Sequence, residues 1–199
     1  KAFAIQLHKL YPWKNARTEG LAENFLMFLR DDLKLTTTGK EFLLQLVEFE
    51  RHAFYIRRVE NDPITAKQSL SREQITKLQV GALLELSCFV PSCARFDRFE
   101  LDMIDVWSYF EKHQELPTSP KKAACFLAGS RDSENRSGWL RLTEPVFTFL
   151  RQHTVLQPFP VGSLAEAFVS TCANKSETEA YSEFLKFFVS LLEFGVIVC

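Results

Sequence analysis

The sequence predicts an α+β fold that is mainly helical, with a helical N-terminal domain over residues 1–116 and a C-terminal winged-helix domain over residues 121–199. Nineteen Phe and only 7 Gly among 199 residues favour helices packed through aromatic side chains over a loop-rich barrel. From Lys122 onward the chain is predicted to form a strand, a polar turn, a strand, three helices and a closing strand, which is typical of a winged helix. Leu116–Pro120 carries two prolines and two hydroxyl residues without periodicity, which indicates a linker between the two domains.

Apolar residues recur at helical spacing in two segments of the first domain. The first is a short helix over residues 21–29 that stops near Asp31. The second, Lys40–Arg58, is the strongest periodic signal, and Asn61-Asp62-Pro63 ends it. Its apolar stripe is wide enough to predict burial on more than one side. The stripe consists of Phe42, Leu46, Phe49, Ala53 and Ile56, widened by Leu43, Val47 and Phe54.

The rest of the first domain is less regular. Ser71-Arg-Glu-Gln74 predicts a capping box at the start of a helix. Leu78–Cys88 fits a helix or a strand, and Pro91 ends it. We predict a short strand over Cys93–Phe96 and a helix over Glu100–His113. The inward residues of that helix are predicted to be Leu101, Ile104, Trp107 and Phe110.

The second domain begins with a predicted β-hairpin. Lys122–Ala128 is an apolar strand, and the wholly polar segment Gly129–Ser137 is predicted to form the wing loop. Gly138–Leu142 alternates, which predicts a strand with Trp139 and Arg141 on one face.

Three helices follow the hairpin, with recognisable capping signals. Thr143 is predicted to cap a helix that ends near His153. Ser163-Leu-Ala-Glu166 and Ser176-Glu-Thr-Glu179 read as capping boxes of the next two helices. Gly195 is predicted to end the last helix, and Val196–Val198 to form a short closing strand.

The last predicted helix, Ser176–Glu193, carries Glu177, Glu179, Glu183 and Glu193 against Lys186. A winged helix that reads DNA needs cations there to meet phosphates. The formal net charge of −1 also gives no general attraction to nucleic acid. The sequence therefore favours a protein or peptide partner, and a DNA-binding transcription regulator is the alternative. No segment approaches the roughly 18 apolar residues of a membrane span, so we expect no membrane partner.

No motif for catalysis or metal binding is recognisable. The histidines His8, His52, His113 and His153 are scattered, and no nucleotide-binding or nucleophile motif occurs. We therefore expect neither catalytic residues nor a metal or cofactor in this chain. Five cysteines at irregular spacing, among them Cys88 and Cys93 around Pro91, favour reduced structural thiols in a cytoplasmic protein.

Four side chains each admit a structural and a functional interpretation. Glu50 lies on the apolar side of its helix. It is either a structural carboxylate, paired with an arginine or placed at the edge of the stripe, or a catalytic acid. Trp139 is either a sheet-face aromatic or a contact for a peptide. Arg131 and Arg136 are either solvated or hold an acidic segment of a partner.

Six segments, taken in order, resemble the HvfC/BufC family. They match its "FxxFL" segment, its helix with "L-x-x-L-x-x-x-E", its strand pair leading to a helix with a Trp, its strand ending in Arg, and its "L-x-x-x-G-[LIV]-[LIV]" close. These segments are Phe25-Leu-Met-Phe-Leu-Arg30, Leu43–Glu50, Leu83–Phe96, Ile104-Asp-Val-Trp107, Cys125–Arg131 and Leu191–Ile197. The resemblance covers most of the chain from about residue 21. In the shortness of its N-terminal part, the chain resembles the compact branch of the family, the MbnC-type proteins of methanobactin biosynthesis.

The resemblance implies a non-catalytic partner of an MbnB-type TIM-barrel iron oxygenase. The pair converts cysteines of an MbnA-type ribosomal precursor peptide into an oxazolone next to a thioamide. The iron belongs to the oxygenase, and the winged-helix unit is similar to the RiPP recognition element, which binds the leader of such a precursor.

The residues and the resemblance point to one binding mode. A sheet edge accepts an extended peptide as an added strand, with backbone hydrogen bonds giving affinity and side-chain pockets giving specificity. We predict that the peptide docks along the second hairpin strand and against aromatic residues of the last helix. The predicted peptide-binding residues are Arg136, Ser137, Gly138, Trp139, Leu140, Arg141, Leu142, Tyr181, Phe184 and Phe188.

Overall fold

The computed structural model describes residues 37–59, 70, 72–113, 117, 120–132, 134–153 and 157–199. Helices and strands are both present in these residues, which confirms the α+β class. The predicted helix over residues 21–29, the stop at Asn61–Pro63, the Ser71 cap and most of the linker Leu116–Pro120 lie outside the described residues. Among the described residues, none of the helices is both long and apolar enough to cross a lipid bilayer.

The chain divides into two compact units. The first unit contains residues up to Phe54 together with Phe99–Ala123. The second contains Tyr55–Arg98 and Ala124–Cys199. Residues 55–98 therefore group with the C-terminal part of the chain, whereas the sequence boundary at 116–121 assigns them to the N-terminal domain.

Helix α1, Thr37–Arg58, contributes Phe49 and Ala53 to the described core of the first unit, and its existence confirms the strongest periodic signal. Phe49 is buried, and its ring lies 5.9 Å from that of Phe99 and 6.1 Å from that of Trp107. Gln45 Oε1 accepts hydrogen bonds from the backbone N–H groups of Glu100 and Leu101 at 2.8 and 3.1 Å. Glu50 is exposed, so a buried place for it on the apolar side of the helix is wrong, whereas a place at the edge of the stripe agrees with the structure.

The strand and the helix after Pro91 occur in the predicted order but with different bounds. Strand β2 runs over Arg95–Leu101 and helix α4 over Met103–His113, so the predicted strand Cys93–Phe96 overlaps only the first two residues of β2, and the helix does not begin at Glu100. The extended chain continues to Leu101 because β2 pairs in a sheet, which local periodicity does not reveal. Asp102 Oδ1 then accepts a hydrogen bond from the N–H of Asp105, as at a helix start. The inward face of α4 also differs: Met103 and Val106 are buried, whereas Ile104, Trp107 and Phe110 are half-buried.

Leu78–Cys88, which fits a helix or a strand in the sequence, contains both. Helices α2, Arg72–Thr76, and α3, Val80–Glu85, precede strand β1, Ser87–Cys88. β1 pairs antiparallel with β5, which is Phe159–Pro160.

A second sheet has the strand order β2-β3-β4. β3 runs over Lys122–Arg131 and β4 over Ser137–Leu142, and the two form an antiparallel hairpin. Both predicted strands are confirmed. The predicted wing loop Gly129–Ser137 is too long, because three of its first residues and Ser137 belong to the strands, and the loop spans Asp132–Arg136.

Helices α5, Glu144–Gln152, α6, Val161–Val169, and α7, Glu177–Glu193, follow the hairpin. The capping box of Ser176 with Glu179 at the start of α7 is confirmed. The predicted box of Ser163 with Glu166 is wrong, because α6 already begins at Val161 directly after β5. Thr143 is the N-cap of α5 but makes no side-chain capping bond.

The core of the second unit forms between the helices and one face of the hairpin. Phe184 and Phe188 of α7 are completely buried, and Leu150 of α5 and Leu164 of α6 are as well. Two hairpin residues, Ala128 and Leu142, belong to the same cluster.

The C-terminal segment closes this unit. Val196, Ile197 and Val198 are buried. In place of the predicted closing strand there is a single bridge, in which Val198 and Phe89 exchange two backbone hydrogen bonds. Next to this bridge Cys88 and Cys199 form a disulfide, so the expectation of reduced thiols is wrong for these two. Cys93, Cys125 and Cys172 are free and buried.

Gly129 and Gly81 offer a matched test of the hairpin packing. A Cβ on Gly129 would lie 2.6 Å from both Ile56 Cδ1 and Trp139 Cζ3, whereas one on Gly81 would have no atom within 4 Å. We expect Gly129→Ala to lower the free energy of unfolding by about 1–3 kcal/mol through overpacking. Gly81→Ala, in helix α3, should leave it unchanged or raise it by about 0.5–1 kcal/mol. Denaturant titration of both variants checks this, and equal stability of the two would contradict the close packing of Trp139 on Gly129.

Candidate functional site

β4 lies at the edge of its sheet. In the order β2-β3-β4 it pairs with β3, from Arg131↔Ser137 to Phe126↔Leu142, and no other strand of the described part pairs with its outer side. An unpaired strand edge presents N–H and C=O groups that can pair with another chain. The outer side of β4 is therefore the first candidate for a binding surface.

The hairpin register decides which backbone groups point outward. Asp132 N donates to Arg136 O at 3.0 Å, one register step beyond the pair Arg131↔Ser137. Hydrogen-bonded and non-hydrogen-bonded pairs alternate along an antiparallel ladder. Gly138, Leu140 and Leu142 therefore bond to β3, and the N–H and C=O groups of Ser137, Trp139 and Arg141 point away from it.

The two faces of β4 differ. Leu142 is buried in the core and Leu140 packs against that core. Trp139 lies on the opposite face, with its ring against Gly129. Ile56 packs against the same glycine. Trp139 is half-buried, so its sheet-face interpretation accounts for its position, and Arg141 on the same face is exposed.

The hairpin loop is built around one carboxylate. Asp132 Oδ1 accepts hydrogen bonds from the backbone N–H groups of Glu134 and Arg136, both at 2.9 Å, and Oδ2 accepts one from Arg136 Nε at 2.7 Å. Arg136 also forms an ion pair with Glu134 at 2.8 Å. Asn135 adopts a positive φ of 62°, which Asn tolerates better than most residues. The loop thus has a defined conformation, and the guanidinium of Arg136 is paired with two carboxylates, those of Asp132 and Glu134.

These contacts shift two pKa values. Burial by itself raises the pKa of Asp132, but the hydrogen bonds from Arg136 and Glu134 together bring it below its ordinary value. The pKa of Arg136 is raised, chiefly by its hydrogen bond to Asp132. Both groups are therefore held in their charged forms.

The other side of the hairpin is tied to the end of α1. The Arg131 guanidinium donates to the backbone oxygens of Val59 and Arg57, carbonyls at the C-terminus of that helix. Arg57 Nε donates in return to Ser137 Oγ at 3.3 Å. Arg131 and Ser137 thereby have structural partners.

A groove of about 590 Å³ lies at the start of β4. It lies between the hairpin loop and the C-terminal end of α7. Its lining residues are Asp132, Arg136, Ser137, Gly138, Glu193 and Phe194. Phe194 is 37% exposed, and a Cβ on Gly138 would lie 2.8 Å from its ring.

The turn that carries Phe194 is fixed to the end of β3. Gly195 has φ +65°, and a Cβ there would overlap the carbonyl oxygen of Arg131. Ser130 Oγ donates to Gly195 O at 2.6 Å, and Cys93 Sγ lies 3.3 Å from the same hydroxyl. Ser130 is a completely buried polar residue, and this network satisfies it. Both walls of the groove, the hairpin loop and the turn after α7, therefore have defined positions.

The predicted peptide-binding residues separate into two groups. Residues 136–138 line the groove, and Trp139 and Arg141 lie farther along β4, on the face opposite Leu140 and Leu142. Phe184 and Phe188 are completely buried, so their prediction as surface anchors is wrong: the helix α7 uses them to fill the core. Tyr181 is half-buried, and burial raises the pKa of its hydroxyl, which has no hydrogen-bond partner in the described part of the chain.

Asp132, Glu193 and Phe194 were missed by the sequence reasoning. The spacing of Asp132 and Arg136 between two strands was a usable signal, since a carboxylate and a guanidinium four residues apart can close a short loop. Glu193 and Phe194 are brought to the hairpin only by the tertiary fold. No group of three or more His, Cys, Asp or Glu that could hold a metal ion occurs among the residues described.

Replacing Asp132 by Asn tests the loop. Asn can still accept the two backbone hydrogen bonds, but its amide NH₂ cannot accept from Arg136. We expect Asp132→Asn to lower the free energy of unfolding by about 1 kcal/mol at neutral pH. Since the folded-state pKa of Asp132 is depressed, this contribution exists above the unfolded-state value of roughly 4 and is lost as pH falls through the folded-state value. Urea titrations from neutral to acidic pH should show the two proteins converging in acid.

Glu134→Gln is the matched control for that experiment. The Glu134 side chain is 67% exposed and contacts the same arginine, so its removal should change stability little. A difference between wild type and Asp132→Asn that does not shrink in acid would contradict the role assigned to the Asp132 charge.

No protein-family model matches this chain, and no curated protein matches it significantly in sequence.

Proposed function

We propose that this chain is a non-catalytic subunit that binds the leader of a ribosomally made precursor peptide for an MbnB-type TIM-barrel iron oxygenase. The oxygenase converts cysteines of the precursor into the oxazolone and thioamide groups of a methanobactin-type copper chelator. In this proposal the second compact unit is a winged-helix, RiPP-recognition-element-like domain. The observation that carries the proposal is the position of β4 at the edge of the described sheet, beside a groove.

The edge supplies what a leader peptide requires. Ser137, Trp139 and Arg141 direct their backbone groups away from β3, so an extended segment can continue the sheet. Strand addition gives affinity without demanding a particular sequence, and an adjacent pocket adds specificity. A tethered precursor would also meet the oxygenase at a raised effective concentration.

The charge of α7 favours a peptide over nucleic acid. Glu177, Glu179 and Glu183 are all on this helix, and Lys175 before it pairs with Glu183. Phosphates approaching this helix would meet net negative charge, which opposes the contacts that dominate nucleic-acid affinity.

In this proposed function the iron and the chemistry belong to the oxygenase. The subunit binds the precursor in the cytoplasm, where ribosomal precursors are made. The cytosol generally keeps thiols reduced. Binding should therefore be measured both with and without reductant, since the Cys88–Cys199 disulfide is present in the structure.

Association with the oxygenase is the direct test of this role. Co-expression with an MbnB-type oxygenase from the same organism should give one complex on size-exclusion chromatography. The oxygenase should then modify the cysteines of its precursor, which mass spectrometry detects, and should do so poorly without this chain. Separate elution at micromolar concentration, with unchanged modification, would refute the subunit role.

A proline substitution in β4 tests whether a peptide pairs along this strand. Arg141→Pro removes an N–H that points away from β3, a position at which an edge strand tolerates proline. We expect the variant to fold and to bind short peptides, selected on the wild-type chain from a random phage-displayed library, about fivefold more weakly for each hydrogen bond lost. Arg141→Ala is the matched control, since it loses the same side chain and keeps the N–H. Equal affinities of the two variants would show that the peptide does not pair along β4.

A further inference from the structure

We infer that the Cys88–Cys199 disulfide is a redox-controlled latch on the segment Val196–Cys199. In the disulfide form the segment is locked onto strand β1. In the dithiol form its far end opens and closes while the rest of the second unit stays folded. This inference goes beyond the proposed peptide-binding function and does not rest on it.

The disulfide joins two parts of the second unit that are distant in sequence. Cys88 is completely buried in β1, where it pairs with Phe159 of β5. Cys199 is half-buried, and the bond spans a sequence separation of 111. A cross-link that closes so long a loop strongly restricts the unfolded chain. The oxidation state of this pair therefore changes the stability of the unit.

The segment also has contacts that do not need the disulfide. Val196 N donates to Leu191 O at 2.8 Å, which ties the start of the segment to the end of α7. Val198 and Phe89 exchange backbone hydrogen bonds of 2.9 and 3.0 Å. Val196, Ile197 and Val198 are buried. Reduction thus removes one constraint among several, so we expect the dithiol form to remain folded.

These contacts divide the segment into a fixed part and a releasable part. Val196 is fixed because it bonds to the end of its own helix. Val198 bonds to Phe89, the residue after Cys88, so the bridge and the disulfide close the same contact. Once the disulfide is broken, a two-bond bridge remains at this point. So short a pairing opens locally at a much smaller free energy than global unfolding.

The remaining cysteines show that the pairing is selective. Cys93, Cys125 and Cys172 are free and buried, so one pair is oxidised while three thiols are not. Disulfides persist in oxidising compartments, and those of cytosolic proteins are usually transient and catalytic or redox-sensing. An oxidising compartment would keep the latch closed, and a reducing cytosol would open it.

A dithiol reductant opens the latch by thiol–disulfide exchange. Its thiolate attacks Cys199 Sγ, because Cys88 is completely buried and Cys199 is half-buried. The S–S bond breaks, and the Cys88 sulfur leaves as a thiolate and takes up a proton. The second thiol of the reductant then displaces Cys199 as a thiol. Two electrons and two protons reach the cysteines, and the reductant becomes a cyclic disulfide.

Hydrogen exchange of the full chain, followed by NMR with and without dithiothreitol, tests the latch. Loss of the cross-link lowers the protection of every amide that exchanges through global unfolding. Phe147, which donates to Thr143 O in the core helix α5, reports this global effect. We expect the protection factors of Phe89 and Val198 to fall about tenfold or more further than that of Phe147. Glutathione disulfide should restore them.

Two variants separate the latch from other effects of the reductant. Cys199→Ser should show the exchange pattern of the reduced chain both with and without dithiothreitol. Cys172→Ser is the matched control, since it makes the same change at a free buried cysteine and should respond to dithiothreitol as the wild type does. The reduced wild-type chain should unfold cooperatively, with a melting midpoint lowered by about 5–15 °C.

Alkylation of the unfolded chain counts the thiols, and we expect three before reduction in the folded state and five after it. Three results would overturn the inference. Loss of the fold on reduction would make the disulfide a structural cross-link. Equal falls in protection at Val198 and Phe147 would show that the segment does not open locally. A thiol count that stays at three in dithiothreitol would show that the bond does not respond to a reductant. If Cys199→Ser fails to fold, the reduced wild-type chain decides between these results.

Discussion

The contact between the turn after α7 and the end of β3 is the constraint on which the rest of the second unit depends. Gly195 approaches the carbonyl of Arg131 so closely that no Cβ fits, and the buried Ser130 hydroxyl donates to the Gly195 carbonyl. This contact sets the end of α7 beside the hairpin loop and sends Val196–Val198 into the core, where the bridge to Phe89 forms. Without it, neither the groove nor the position of Phe194 would be defined.

Strand β3 is buried on both faces near its C-terminal end, and β4 lies at the edge of the described sheet. Ala128 faces the helical core, and Gly129 on the other face is covered by Trp139 and Ile56. Large side chains of the hairpin and of α7 therefore pack in the core, as the completely buried Phe184 does. Under the proposed function, recognition at this site would use main-chain groups and one groove.

Local patterns predicted the elements whose stability is local. The wide stripe of α1, the capping box of Ser176 and the alternating strand Gly138–Leu142 each carry their signal within a few residues, and each is present. Long-range pairing explains the failures. The strand β2 extends to Leu101 because it joins a sheet, and Cys88 meets Cys199 across a sequence separation of 111. The position of β4 at the edge of the described sheet was predicted, whereas the groove needed the tertiary contact of α7 with the hairpin.

The carboxylates of α7 have different roles, although in the sequence they form a single acidic pattern. Glu179 completes the capping box at the N-terminus, where negative charge is favoured by the helix dipole, and its hydrogen bond to Ser176 lowers its pKa. Glu183 pairs with Lys175, so it too serves the first half of the helix. Glu193 lies at the opposite end, where the dipole disfavours a carboxylate. The acidity that argues against nucleic acid is thus divided between a helix cap, an ion pair and a carboxylate at the groove.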